Sequence, residues 1–112
     1  MTELTPNGVV SGLLKLSQEL AELAKDLDNL EADAVNARED HTLAYARAFL
    51  SSEGAMELRK HQATVDTHHE RLAAETAEAL VRGRKRQIDT LRVRIDVGRS
   101  AAAALRAEMS LT

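Results

Sequence analysis

The 112-residue chain contains no cysteine and no tryptophan, a single proline, five glycines, and only Tyr45 and Phe49 as aromatic side chains. Without cysteine there is no disulfide scaffold and no thiolate-based zinc or redox chemistry. Two aromatics build neither a core of large rings nor a platform on which single-stranded bases stack. β-Branched and aromatic residues are too scarce to fill the pleated, half-buried face of a sheet, which excludes a β fold. The most apolar window, residues 9–16, is interrupted by Ser11, Gly12 and Lys15 and falls far short of the roughly 20 residues that span a bilayer. Residues 1–12 lack the basic start and long apolar run of a signal peptide. A soluble, intracellular protein with no membrane partner is expected.

What is abundant is alanine, nineteen residues, together with leucine and charge. The net charge of −3 is unevenly spread: residues 1–56 hold ten acids and four bases, residues 57–112 eight acids and eleven bases. Such asymmetry points either to nucleic acid or to two helices with complementary faces.

From Leu13 the apolar residues keep alternating steps of three and four: Leu13, Leu16, Leu20, Leu23, Leu27, Leu30, Ala34 and Ala37, then His41, Ala44 and Ala48. Apolar residues at the a and d positions over four or more heptads are the signature of a coiled coil. Thr5-Pro6 reads as an N-cap followed by proline at the first helical position, so the first helix is expected over about residues 6–50. Ser51-Ser52-Glu53-Gly54 is the interior break, with a serine cap opening a second helix over about 54–109. The C-terminal half of that helix again shows heptads at Ile88, Leu91, Ile95, Gly98, Ala102, Leu105 and Met109. Upstream the stripe reads Ala63, Leu72, Ala73, Ala77, Leu80 and Val81, which needs a shift of register to join the later one. Gly83 and Gly98 are the candidates for a bend.

A connection this short makes the helices antiparallel. A turn centred on residues 51–54 sets position i opposite about position 104 − i. Glu19 and Glu22 then lie beside Lys85 and Arg82, and about fifteen C-terminal residues outrun their partner. Alanine-rich layers bury little apolar surface, and cores of marginal size usually add oligomerisation. The fold class is therefore all-α, an antiparallel coiled-coil-like helical hairpin in one domain, assembling into a dimeric four-helix bundle. Leu13, Leu16, Leu20, Leu23, Leu27, Leu30, Ile88, Leu91, Ile95 and Leu105 carry assembly into a homodimer or tetramer.

Candidate chemistry is sparse. His41, His61 and His68 share one side of the hairpin with Glu57, a mixed set that zinc tolerates. Neither His-Glu-x-x-His nor the Glu-x-x-His of di-iron bundles is present, and no metal or other cofactor is assigned. A thin hairpin offers no sheltered pocket for acid–base work, and no catalytic residue is assigned. The basic stretch Arg82, Arg84, Lys85, Arg86, Arg92 and Arg99 is the candidate for phosphate contacts and sequence-independent affinity; the overall acidity argues against a dedicated nucleic-acid binder. Tyr45, Phe49 and Leu50, followed by Met56, form either a plug closing the turn or a partner-binding tip.

Two stretches carry a resemblance: Ala44-Tyr-Ala-Arg-Ala-Phe-Leu-Ser-Ser-Glu-Gly54 with Glu57-Leu-Arg-Lys60, and Leu91-Arg-Val-Arg-Ile-Asp-Val-Gly-Arg-Ser100 with Leu105-Arg-Ala-Glu108. Here the chain resembles small helical accessory proteins of unknown function from phages and prophages of GC-rich actinobacterial hosts. The resemblance implies a phage accessory or regulatory protein in the host cytoplasm and brings no catalytic residues. The function expected is a non-enzymatic, oligomeric interaction protein acting on itself and on another protein. The alternative is a nucleic-acid-binding accessory factor of phage replication or recombination using the basic stretch.

Overall fold

The structure, a computed structural model, describes residues 5–111. It contains three helices, α1 (Pro6–Ser51), α2 (Met56–Asp66) and α3 (His68–Ser110), and no strand among the described residues. Thr5 opens α1 as the sequence suggests: its Oγ1 accepts a hydrogen bond from the backbone N–H of Gly8 at 3.0 Å, and Pro6 occupies the first helical position, where no N–H is needed.

The turn differs from the expected one. Ser51 and Ser52 close α1 instead of capping the next helix. The Ser51 hydroxyl donates to the carbonyl of Arg47 at 2.9 Å and that of Ser52 to Ala48 at 2.7 Å. Gly54 takes a positive φ of 106°, a conformation that favours glycine. The chain resumes its helix only at Met56, with Ala55 at the N-cap and no side-chain cap bond. Glu57 in the first turn still complements the helix dipole.

The expected second helix is divided at Thr67, and not at Gly83 or Gly98, which both lie inside α3. Thr67 has φ −111° and ψ 20°. Its backbone N–H and its Oγ1 both donate to the carbonyl of Ala63, at 3.1 and 2.7 Å. The same bond back by four residues occurs at Thr42, Thr64 and Thr90 inside unbroken helix, so the departure of the Thr67 dihedrals is what marks the division. The interruption is one residue wide, because the N–H of Arg71 still reaches the Thr67 carbonyl at 3.0 Å.

Two compact units are distinguished: unit 1 takes residues up to Asp26 and from Arg84 on, and unit 2 residues 27–83. In unit 1, Ile88, Leu91 and Ile95 are buried while Leu13, Leu16, Leu20 and Leu23 are half-buried. Full burial of such a side chain is worth about 1.5–3 kcal/mol, so these layers hold the unit. Gly98 lets the helices close: a Cβ there would stand 2.6 Å from Leu13 Cδ2. That contact sets position i of α1 level with position 111 − i of α3. It lies one heptad away from the expected 104 − i, so the same faces meet but different residues pair. Only residues 106–111 then lie beyond the last paired layer, fewer than the overhang read from the sequence.

In unit 2 the inward residues are small. Ala34, Ala63 and Ala74 are buried, as is Thr67, the one buried polar residue there. Leu27, Leu30, Ala37, His41, Ala44 and Ala48 are half-buried on α1. Arg38 and Glu78 form a cross-helix ion pair at 3.3 Å. Both occupy the e position beside the seam, and in a relation of i to 111 − i they stand five residues apart along it, a span that two long side chains leaning toward their own N-termini in antiparallel helices can bridge. At 57% and 40% exposure the pair contributes little, about 0–1 kcal/mol.

The inward residues of α2 and α3 correct the sequence reading. Ala63, Thr67, Glu70, Ala74, Ala77, Val81, Arg84, Ile88, Leu91, Ile95, Gly98, Ala102 and Leu105 are all buried or half-buried. They keep unbroken steps of four and three, and no shift of register exists. Leu72, Ala73 and Leu80, assigned to the inner stripe from the sequence, are exposed. Polar residues at Thr67, Glu70 and Arg84 fill the seam positions that the leucines do not.

Candidate functional site

The residues named for assembly are placed as the seam itself. Ile88, Leu91 and Ile95 are buried, and the α1 leucines and Leu105 are half-buried, by the chain's own packing. Further large apolar side chains lie outside this seam. Among the described residues, fourteen large apolar side chains are exposed, including Leu72 at 49%, Leu80 at 55% and Val97 at 63%.

Leu72 and Leu80 do not stand alone. With Leu30, Ala73 and Ala77 they form the apolar walls of an open groove of about 500 Å³ in unit 2, and Asp33, His69 and Thr76 add polar atoms to its lining. On the heptad, Asp33 takes the g position of α1 while Ala73 and Leu80 take the g positions of α3. The groove therefore lies on the flank of the seam opposite to Arg38 and Glu78. Sequence reasoning missed it because Leu72 and Leu80 were assigned inward; the steps of three and four running unbroken through the polar residues Thr67, Glu70 and Arg84 are the signal that would have found it.

The six basic candidates are dispersed. Arg82, Lys85, Arg86, Arg92 and Arg99 are exposed, but Arg84 is half-buried in the seam, where its Nη1 donates to Gln87 Oε1 at 2.9 Å and its Nε is buried without a partner. Lys85, Arg92 and Arg99 share the e face, seven residues apart. Arg106 continues the row and is exposed too; the sequence reading passed over it although the spacing is the same. Arg92 and Arg99 pair within α3, with Asp89 at 3.8 Å and Asp96 at 3.9 Å. Among the described residues no ion pair joins Glu19 or Glu22 to Lys85 or Arg82. In unit 1 the register sets Glu19 level with Arg92 and Glu22 level with Asp89.

At the turn, Tyr45 and Phe49 are half-buried, whereas Leu50 and Met56 are 76% and 61% exposed. A residue not foreseen closes this end. The Arg59 guanidinium lies 4.5 Å from the centroid of the Phe49 ring and its Nη2 donates to the Phe49 carbonyl at 3.0 Å. A cation over a ring face is worth about 0.5–1 kcal/mol at an exposed site. Among the described residues no three His, Asp or Glu side chains gather closely enough to hold a metal ion, and no helix is long and apolar enough to cross a membrane.

No protein-family model matches the chain, and no curated protein or solved structure matches it either.

Proposed function

We propose that this chain is a non-enzymatic coiled-coil interaction protein. Each copy is an antiparallel helical hairpin, copies assemble into a dimeric four-helix bundle, and the assembly acts through protein–protein contacts as a phage or prophage accessory factor. The observation that carries the reading is the division of apolar surface: the a and d residues are spent on intrachain packing, yet Leu72, Leu80 and twelve further large apolar side chains remain in water. Clustered apolar surface on a soluble chain marks interaction sites. The contacts Leu13–Gly98 in unit 1 and Arg38–Glu78 in unit 2 support the antiparallel arrangement. The phage setting rests on the resemblance of the turn and of α3 alone.

Sedimentation velocity over a wide concentration range tests assembly. Oligomers are expected, and a single 12.2 kDa species at every concentration would overturn the proposal. Leu72→Asp is the informative variant, since it alters an exposed position and should weaken assembly with helix content retained. Aspartate at Leu20 or Leu27 would instead melt the seam.

A second reading, contact with nucleic acid, is favoured by one observation. The exposed row Lys85, Arg92, Arg99 and Arg106 meets no acid of α1 among the described ion pairs.

A further inference from the structure

Assembly of copies, as proposed above, leaves open where they meet, and this inference rests on that reading. We propose that the groove of unit 2 receives a second copy of this chain, filled by residues 94–101 of its α3.

The groove walls are apolar, but the elements that build them are acidic. Residues 27–40 carry five acids against Arg38 alone, and residues 66–80 four acids against Arg71 alone. The part of this chain with matching chemistry is residues 84–106, with seven bases and two acids. Within it, Arg94, Val97 and Ala101 are spaced by three and four and so share one face of α3. Val97 is 63% exposed and is the apolar knob of that face. Ala101 is small enough for two helices to approach, and Arg94, one turn before Val97, supplies a guanidinium for Asp33.

Direction follows from the groove's extent. Asp33 is level with Glu78 in the register of unit 2, near the Leu80 end of the lining, which runs back to His69. With Arg94 of the second copy at Asp33, its Val97 and Ala101 stay in the groove only if the two α3 helices run antiparallel. Val97 then comes level with Glu75, next to Thr76 of the groove lining. A chain cannot fill its own groove this way, because Leu80 and Val97 stand on the same helix, seventeen residues apart. A nucleic acid is a poor occupant, since its phosphates would face the acids around the groove.

The chain has no cysteine, so introduced thiols report without background. Thr76→Cys and Val97→Cys chains, purified separately, mixed and gently oxidised, are expected to give the mixed disulfide in excess over either self-pair. A disulfide closes only when the two Cα atoms come within about 7 Å. In sedimentation, Asp33→Arg and Arg94→Asp should each weaken self-association by about fivefold, and the doubly exchanged chain should recover it. Circular dichroism on each variant checks that the helices persist. A wild-type chain that stays monomeric overturns the assembly reading and this inference with it. A wild-type chain that assembles, with no excess of mixed disulfide and with Leu80→Asp assembling as well as wild type, overturns the groove assignment alone.

Discussion

Glu70 stands at a seam position that coiled coils usually fill with apolar side chains. In the register of unit 2 it is level with His41, so one layer of that unit is polar on both sides. Oε2 of Glu70 is buried and has no hydrogen-bond partner. A buried polar atom left unsatisfied costs about 1–3 kcal/mol, whereas apolar side chains of similar size fill such a layer at no comparable cost. Glu70→Leu should therefore raise the unfolding free energy by about 1–2 kcal/mol, read as a higher urea midpoint at unchanged m-value. A midpoint that falls would show that Glu70 has a partner in solution. The same layer also opposes slippage: moving either helix by one heptad would set Glu70 against Ala34 or Ala48 and His41 against another small residue. Polar seam residues fix register at a cost in stability, and here the neighbouring layers are built of alanines and Thr67, small residues that pack almost equally well in several registers. Arg84 is only partly satisfied, because its Nη1 reaches Gln87 while its Nε is buried without a partner.

At the level of the helices, glycines divide by what surrounds them. Nothing stands within 4 Å of the Cβ that Gly12 lacks, whereas at Gly98 a Cβ would press on Leu13 Cδ2. Gly12→Ala should stabilise the protein by about 1 kcal/mol, the difference between the two residues inside a helix. Gly98→Leu should destabilise it by about 1–3 kcal/mol, the range for overpacking a filled layer. Thermal melts of both variants check the contrast, and two shifts of the same sign would contradict it. How much of the fold could be read from residues alone follows from the same local chemistry. The α1 stripe was legible because Leu13 to Leu30 fill its seam without exception and Thr5 caps its start. The α2–α3 stripe was not, because Thr67, Glu70 and Arg84 occupy seam positions while Leu72 and Leu80, the larger apolar residues nearby, face water. Hydropathy alone prefers the leucines. Spacing carried forward from Ile88, Leu91 and Ile95 would have preferred the polar residues, and that choice also exposes the groove. The serines at the turn were ambiguous for a different reason: a serine hydroxyl accepts from an N–H at the start of a helix or donates to a carbonyl at its end. Only the positive φ of Gly54 moves the next helix far enough along to decide.

Across the whole molecule, charge is the property that individual helices do not explain. A mildly acidic chain concentrates seven of its fifteen bases in residues 84–106. The e row there, Lys85, Arg92, Arg99 and Arg106, lies on the flank of the seam opposite to Arg94, so docking of a second copy through Arg94 and Val97 leaves the row accessible. Its internal pairs with Asp89 and Asp96 are long and two-thirds or more exposed, and such pairs hold an arginine by a fraction of a kcal/mol. A polyanion competes for those arginines easily, because each phosphate neutralised releases condensed counterions. Four contacts imply a slope of log K against log salt near −3.6, or about a hundredfold loss of affinity between about 50 and 200 mM salt. Fluorescence anisotropy with labelled single- and double-stranded DNA measures that slope. Arg92→Glu with Arg99→Glu should abolish the binding and move the melting free energy by no more than about 0.5 kcal/mol, as surface changes do. Absence of binding even at the lower salt would remove nucleic acid from consideration. The basic row would then be left as a surface for an acidic protein.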